Sequence, residues 1–308
     1  MIVVVASIKG VPGVTTTATA LAESWPPSRR VLLVEVDPFG GDLAAWFGVA
    51  PSTGLWSLLA AGRRGLDPRT VWEHAGTSPT GLPLLYGLAT ADQAVANEAA
   101  WPAVAGALAA LEGDVIIDAG RLLPHFAGGI GPLLAVADVL LVLCPPTLAG
   151  IVHLKAALPS LIATSTKRRT LVLPTAQKGF SSEEIAATLK INVAPPIPHD
   201  PRGAAALGAN TIGSARAKST LAKWARRTSA ELVASSPTAL GSQVSLALAE
   251  TKDAPFAQHT DDPVHSSERR RVAGHLNAAN PLDETDSQND APYFDDLEQV
   301  ALPTWAAR

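Results

Sequence analysis

One cysteine in 308 residues, Cys144, excludes a disulfide framework. Its place in the apolar run 139–144 reads as a small buried hydrophobe, and a reducing cytoplasm suits such a chain. Charged residues make up only 17% and aromatics 5%, yet 47% of the chain is hydrophobic. That content supports a sizeable core and removes the chain as a whole from the disordered class. Long apolar runs are missing too. The most apolar stretch, residues 139–152, is interrupted by Pro145 and Pro146 and is too short to cross a bilayer as a helix. No positive residue precedes the apolar residues 2–5 and no cleavage pattern follows, so they read as a strand and not a signal peptide. The seven histidines show no H-E-x-x-H spacing, and residues 76–81 form no G-x-S-x-G elbow, which leaves a zinc enzyme or a serine hydrolase without its groups. His125, His153 and His199 read as structural or surface residues.

What charge there is falls unevenly. From Ser236 onward there are 12 acidic and 5 basic residues, against 16 acidic and 19 basic before it. A mildly basic body, residues 1–234, therefore carries an acidic Pro/Ser/Asp-rich tail, residues 235–308, that is expected to be disordered because it has too little apolar surface to offset ordering entropy. Residues 293–305 mix Tyr, Phe, Leu, Val and Trp with acids, a pattern open to two readings: a solvated tail or a short docking peptide.

The body alternates short apolar runs with helical patterns, which predicts an α/β fold with a mostly parallel, doubly wound sheet and helices on both faces. Strands are expected at residues 2–6, 31–36, 82–86, 115–118, 139–144 and 171–173. They are unbroken Val/Leu/Ile runs, as strands buried on both faces require. Helices are expected at 15–24, 55–61, 97–111, 148–162, 182–189 and 215–233, the last started by Ser214.

Chemistry concentrates directly after the first strand, in Lys9-Gly10-Val11-Pro12-Gly13-Val14-Thr15-Thr16. Glycines there let backbone N–H groups turn toward a phosphate at a helix N-terminus, and the Thr15 hydroxyl is placed to ligate Mg²⁺. This segment resembles the deviant Walker A loop of the ParA/MinD family, Lys-Gly-Gly-x-Gly-Lys-Thr-Thr. Lys9, Gly10, Gly13, Thr15 and Thr16 match; Val11 replaces the second glycine and Val14 replaces the general P-loop lysine. Residues 31–37 followed by Pro38 resemble the family's second motif, with Glu35 in place of its first Asp and Asp37 matching the second. Residues 113–118 resemble Walker B, ending in Asp118. Residues 137–148 resemble the next strand and its proline loop, and Pro198 and Asp200 match the base-binding P-x-D segment. The family's adenine-reading asparagine has no match, since Pro174, Thr175 and Ala176 occupy that region.

The resemblance spans residues 1–234 and implies a P-loop NTPase fold binding ATP and Mg²⁺. It implies that Lys9 reaches across a homodimer to the partner's nucleotide, that Asp37 helps position the attacking water, and that Thr15 and Asp118 hold the metal. It also implies a nucleotide-dependent switch serving partitioning, division-site or pilus and secretion machinery, with the TadZ/CpaE branch the nearest in its second motif. The P-loop lysine stabilises charge on the β- and γ-phosphates, and losing one such group costs on the order of 10² to 10³ in rate, so hydrolysis is expected to be weak or absent. Arg121, three residues after Asp118, is the candidate replacement cation; its ordinary alternative is a surface arginine paired with a nearby acid. A pseudo-ATPase scaffold is the competing reading of the whole chain. Arg216, Lys218, Lys223, Arg226 and Arg227, with Lys167, Arg168 and Arg169, offer weak nonspecific DNA contacts or a solvated surface. Residues 293–308 are too acidic for a direct membrane anchor.

Overall fold

The computed structural model describes residues 1–62, 65–122, 130–165, 168–208 and 218–235. Its sheet contains β1 (Ile2–Ser7), β2 (Val31–Glu35), β3 (Gly76–Thr77), β4 (Pro83–Leu85), β5 (Asp114–Arg121), β6 (Val139–Cys144) and β7 (Arg169–Pro174). Their order is β3-β4-β2-β5-β1-β6-β7. Every pairing is parallel except the two-residue edge pair β3 and β4. All six expected strands are present, and β3 is the addition. Lys167, His125, Ser214, Arg216 and the acidic tail lie outside the described residues.

The helices are α1 (Val14–Glu23), α2 (Leu43–Trp46), α3 (Leu55–Gly62), α4 (Pro68–His74), α5 (Ala91–Ala96), α6 (Trp101–Ala109), α7 (Ile130–Val136), α8 (Leu148–Ala163), α9 (Ser182–Leu189), α10 (Pro201–Gly208) and α11 (Thr220–Ala234). Side chains alternate across each strand, so Ile2, Val4 and Ala6 enter one core with α3, α4 and α6 to α9. Val3 and Val5 enter the opposite core with α1, α2, α10 and α11. Both faces of β1 are buried, and each fully buried Leu or Ile contributes about 2 kcal/mol.

The expected helix over 97–111 is divided: Glu98–Ala100 forms a 3-10 turn and α6 follows with Pro102 in its first turn, where proline's missing N–H costs nothing. Arg168 departs from a DNA-facing role. It is buried, and its guanidinium donates to the carbonyls of Leu134, at 2.6 Å, and Leu161. On α11, Lys223, Arg226 and Arg227 are exposed, and Arg227 pairs with Glu231 at 2.8 Å. Among the described residues no helix is long and apolar enough to cross a membrane.

Candidate functional site

The carboxyl ends of the central strands β2, β5 and β1 lie side by side, where open α/β sheets bind ligands. Register aligns Glu35 with Asp118, and the Val36 N–H donates to the Asp118 carbonyl at 2.7 Å. Between β1 and β5 the register slips after Val5, so that Ser7 opposes Arg121. The slip spans Ala119 and Gly120, and the φ of +52° at Gly120 favours glycine while its missing Cβ leaves room for the Asp37 carboxylate.

From Ser7 the chain turns into α1 through Gly10 and Gly13, with φ of 67° and 104°. The Val11 N–H donates to Ser7 Oγ at 3.1 Å, which fixes the loop to the strand. The Thr17 N–H makes the bond to the Gly13 carbonyl at 2.8 Å, and no side chain caps α1. The N–H groups ahead of Thr17 in the first turn are thus left for an outside acceptor, a partial positive charge suited to an anion. By contrast, Asp67, Thr90, Thr147, Ser181 and Ser219 cap α4, α5, α8, α9 and α11.

A cavity of about 300 Å³ opens over this turn, lined by Gly10, Val11, Pro12, Gly13, Val14, Thr15, Thr16, Asp37 and Arg121. Ser7, Asp42, Trp46 and Gly120 complete its wall, and motif matching had not singled them out. Gly120 was legible as the small residue two after Asp118. A second cavity of about 380 Å³ shares Pro12, Gly13 and Thr16 with the first and extends past Leu143, Gln177, Ile197, Pro198, His199 and Asp200. Lys9 is exposed and lies apart, beside Cys144 and His153 in a hollow of about 120 Å³.

The two departures from the loop pattern turn inward. Val11 and Val14 are buried and pack in the core with Val3 and Val5. The charge a lysine would bring is therefore absent, and Arg121 is the cation among the lining residues. Arg121 makes no ion pair among the described residues; its guanidinium stands 5.9 Å from the Phe39 ring centroid.

Each carboxylate has a different environment. Asp118 is buried, and desolvation, with the charges of Glu35 and Asp37, pushes it up to about 7 against the pull of the Thr15 hydroxyl and the Gly120 N–H. Its Oδ1 accepts from Gly120 at 3.1 Å, while its Oδ2 has no hydrogen-bond partner. Asp37 is raised chiefly by desolvation, despite the Phe39 N–H at 2.8 Å. Glu35 is also raised by burial, but it is fully engaged: Oε1 accepts from Asp42 at 2.6 Å and Leu43 at 2.9 Å, and Oε2 from Gly87 at 2.9 Å. The first acid of the second motif therefore ties loops together. Asp200 is similar, accepting from Gly203, Thr220 and Leu221, which hold it below the usual carboxylate range and join α10 to α11.

An orphaned buried carboxylate oxygen beside a threonine and an uncapped helix end fits a hydrated divalent cation bound with an anion. Mg²⁺ keeps several waters and takes only one or two protein carboxylates. Among the described residues no group of three or more His, Cys, Asp or Glu is placed to hold a metal unaided.

Neither a protein-family model nor a curated protein sequence matches the chain. Solved structures do. A ParA family ATPase from Chlorobium tepidum is 20% identical over 75% of this chain and 98% of its own, with a TM-score of 0.62. The cell division ATPase MinD of Pyrococcus furiosus is 19% identical over 75% and 97%, with a TM-score of 0.58. Cobyrinic acid a,c-diamide synthase from Mycobacterium smegmatis, solved with an ATP analogue and magnesium, is 24% identical over 76% and 94%, with a TM-score of 0.53. The chain carries the fold of the ParA/MinD-type P-loop ATPases.

Proposed function

We propose that residues 1–234 form a nucleotide-binding domain that acts as an ATP-dependent dimerising switch, with residues 235–308 as an acidic extension. The observation that carries this reading is the pair of adjoining cavities joined at Pro12, Gly13 and Thr16. One combines an uncapped helix N-terminus with carboxylates, as a metal-bound polyphosphate requires; the other is walled by Leu143, Ile197 and Pro198, as a flat base requires.

In this reading the amides of residues 10–16 surround the phosphates, and Thr15 and Asp118 hold Mg²⁺, which supplies charge neutralisation when bound. Asp37 orients water at the terminal phosphate, and Arg121 takes part of the role that Val14 leaves vacant. Pro198 lines the base end, while Asp200 acts there by fixing the two helix ends around it. Lys9, exposed and outside the phosphate cavity, is free to reach a second copy of the chain. With several acids and a single arginine at the site, nucleotide without a divalent cation meets net repulsion, and hydrolysis is slow or absent. The switch would act in the cytoplasm and position another assembly, of the partitioning, division-site or pilus and secretion kinds, the TadZ/CpaE branch among them.

Thermal melting of the full chain tests this. Mg·ATP at a hundredfold its dissociation constant stabilises by about 2.7 kcal/mol. ATP with a chelator gives a much smaller shift. No shift under either condition leaves the competing reading, a scaffold that keeps the fold without the ligand.

A further inference from the structure

We infer that Phe39 is a positioning residue that aims the Arg121 guanidinium into the phosphate cavity. The inference rests on the nucleotide reading of that cavity and adds a specific part to it. An exposed arginine at a strand end loses side-chain entropy when a ligand immobilises it, so it serves a ligand well only if its course is fixed beforehand. Two contacts fix it. The stem crosses the bare face of Gly10, where an added Cβ would stand 3.5 Å from Arg121 Cδ. The head lies within cation–π range of Phe39, at 5.9 Å.

Phe39 is 55% exposed, a costly place for a large apolar ring that covers nothing. It is carried on a pinned turn. The Phe39 N–H donates to Asp37 Oδ1 at 2.8 Å, the Gly40 N–H to the Asp37 carbonyl at 3.2 Å, and Glu35 holds the far end through Asp42 and Leu43. A ring is also the chemically suitable holder. A carboxylate partner would neutralise the guanidinium and occupy its fork, whereas an aromatic face attracts the cation and leaves its N–H donors for phosphate oxygens. Asp37 and Asp42 line the same cavity, yet neither pairs with Arg121.

The test is calorimetric titration of Mg·ATP into the full chain and its variants. Arg121→Ala is expected to weaken binding tenfold or more, and Phe39→Ala two- to fivefold. Phe39→Trp restores the wild-type value, and Phe39→Ala has no further effect once Arg121 is Ala. Equal losses from Phe39→Ala in both backgrounds, or none in the wild type, overturn the inference. A wild type that binds no Mg·ATP sinks the nucleotide reading, and Phe39 is then judged by NMR of the free chain. A ring-current displacement of the Arg121 Nε–H resonance that vanishes in Phe39→Ala upholds the contact; an unmoved resonance overturns it.

Discussion

Asp114 opens β5 and Asp118 lies further along it, both buried and both on the face of the sheet that α1 covers. Asp114 accepts from Trp25 Nε1 at 2.7 Å, from Arg29 Nε at 2.5 Å and Nη2 at 2.6 Å, and from the Met1 ammonium at 3.0 Å. Those donors outweigh its desolvation and hold it below the usual carboxylate range. Asp118 is given one amide and an approaching hydroxyl, and desolvation wins. Burial is common to both; the supply of donors separates a structural acid from one left ready for a cation.

The pair can be broken from either side. The largest effect belongs to Asp114→Ala, which strands the Trp25 N–H and the partly exposed Arg29 and lowers stability in urea denaturation by about 3 kcal/mol. Its contribution is present above the ordinary carboxylate range and disappears in acid as pH falls through its depressed folded pKa. Asp118 has the opposite sign. The unfolded carboxyl ionises near 3.8 and the folded one near 7, so its cost to the free protein grows as pH rises across that window and is complete above it. Asp118→Asn removes that charge but keeps the burial cost of a polar amide, so it stabilises the free protein at pH 8 by about 2 kcal/mol and erases the Mg·ATP melting shift. In the wild type, Mg·ATP affinity falls by up to tenfold per pH unit below about 7, as protons compete with the metal; a flat profile would place the metal elsewhere. Smallest is Val14→Lys. If the new stem fills valine's niche and its ammonium reaches the cavity, Mg·ATP binding tightens by about 1.4 kcal/mol, or tenfold, in the same titration. Unchanged affinity would mean that the loop has settled around valine.

Much of this was legible in the chain because it is local. Strands buried on both faces print continuous apolar runs, and six were placed from them. The short helices α2, α4, α5, α7 and α10 were not, although the eight-residue α3 and α9 were, and Asp67-Pro68 is a start signal that could have revealed α4. The strand ends brought Asp37 and Asp118 to the glycine turn because parallel register puts like ends together. What stayed hidden depends on distant partners. Nothing near Glu35 foretells that its carboxylate is spent on Asp42, Leu43 and Gly87. Nothing near Asp114 announces Trp25, and Arg168 looked like part of a basic surface until the ends of α7 and α8 closed over it.

Glu35 has a consequence for how such a site can change. Its carboxylate reaches across the segment that follows it to hold Asp42 and Leu43 and links that far end to Gly87, so the foundation of the turn is set by the strand beneath it and not by the residues at its tip. Pro38 and Phe39 can then be exchanged like a cartridge, altering what the tip presents to a ligand, while Gly40, at φ +119° and against the Ala89 carbonyl, stays with the mount.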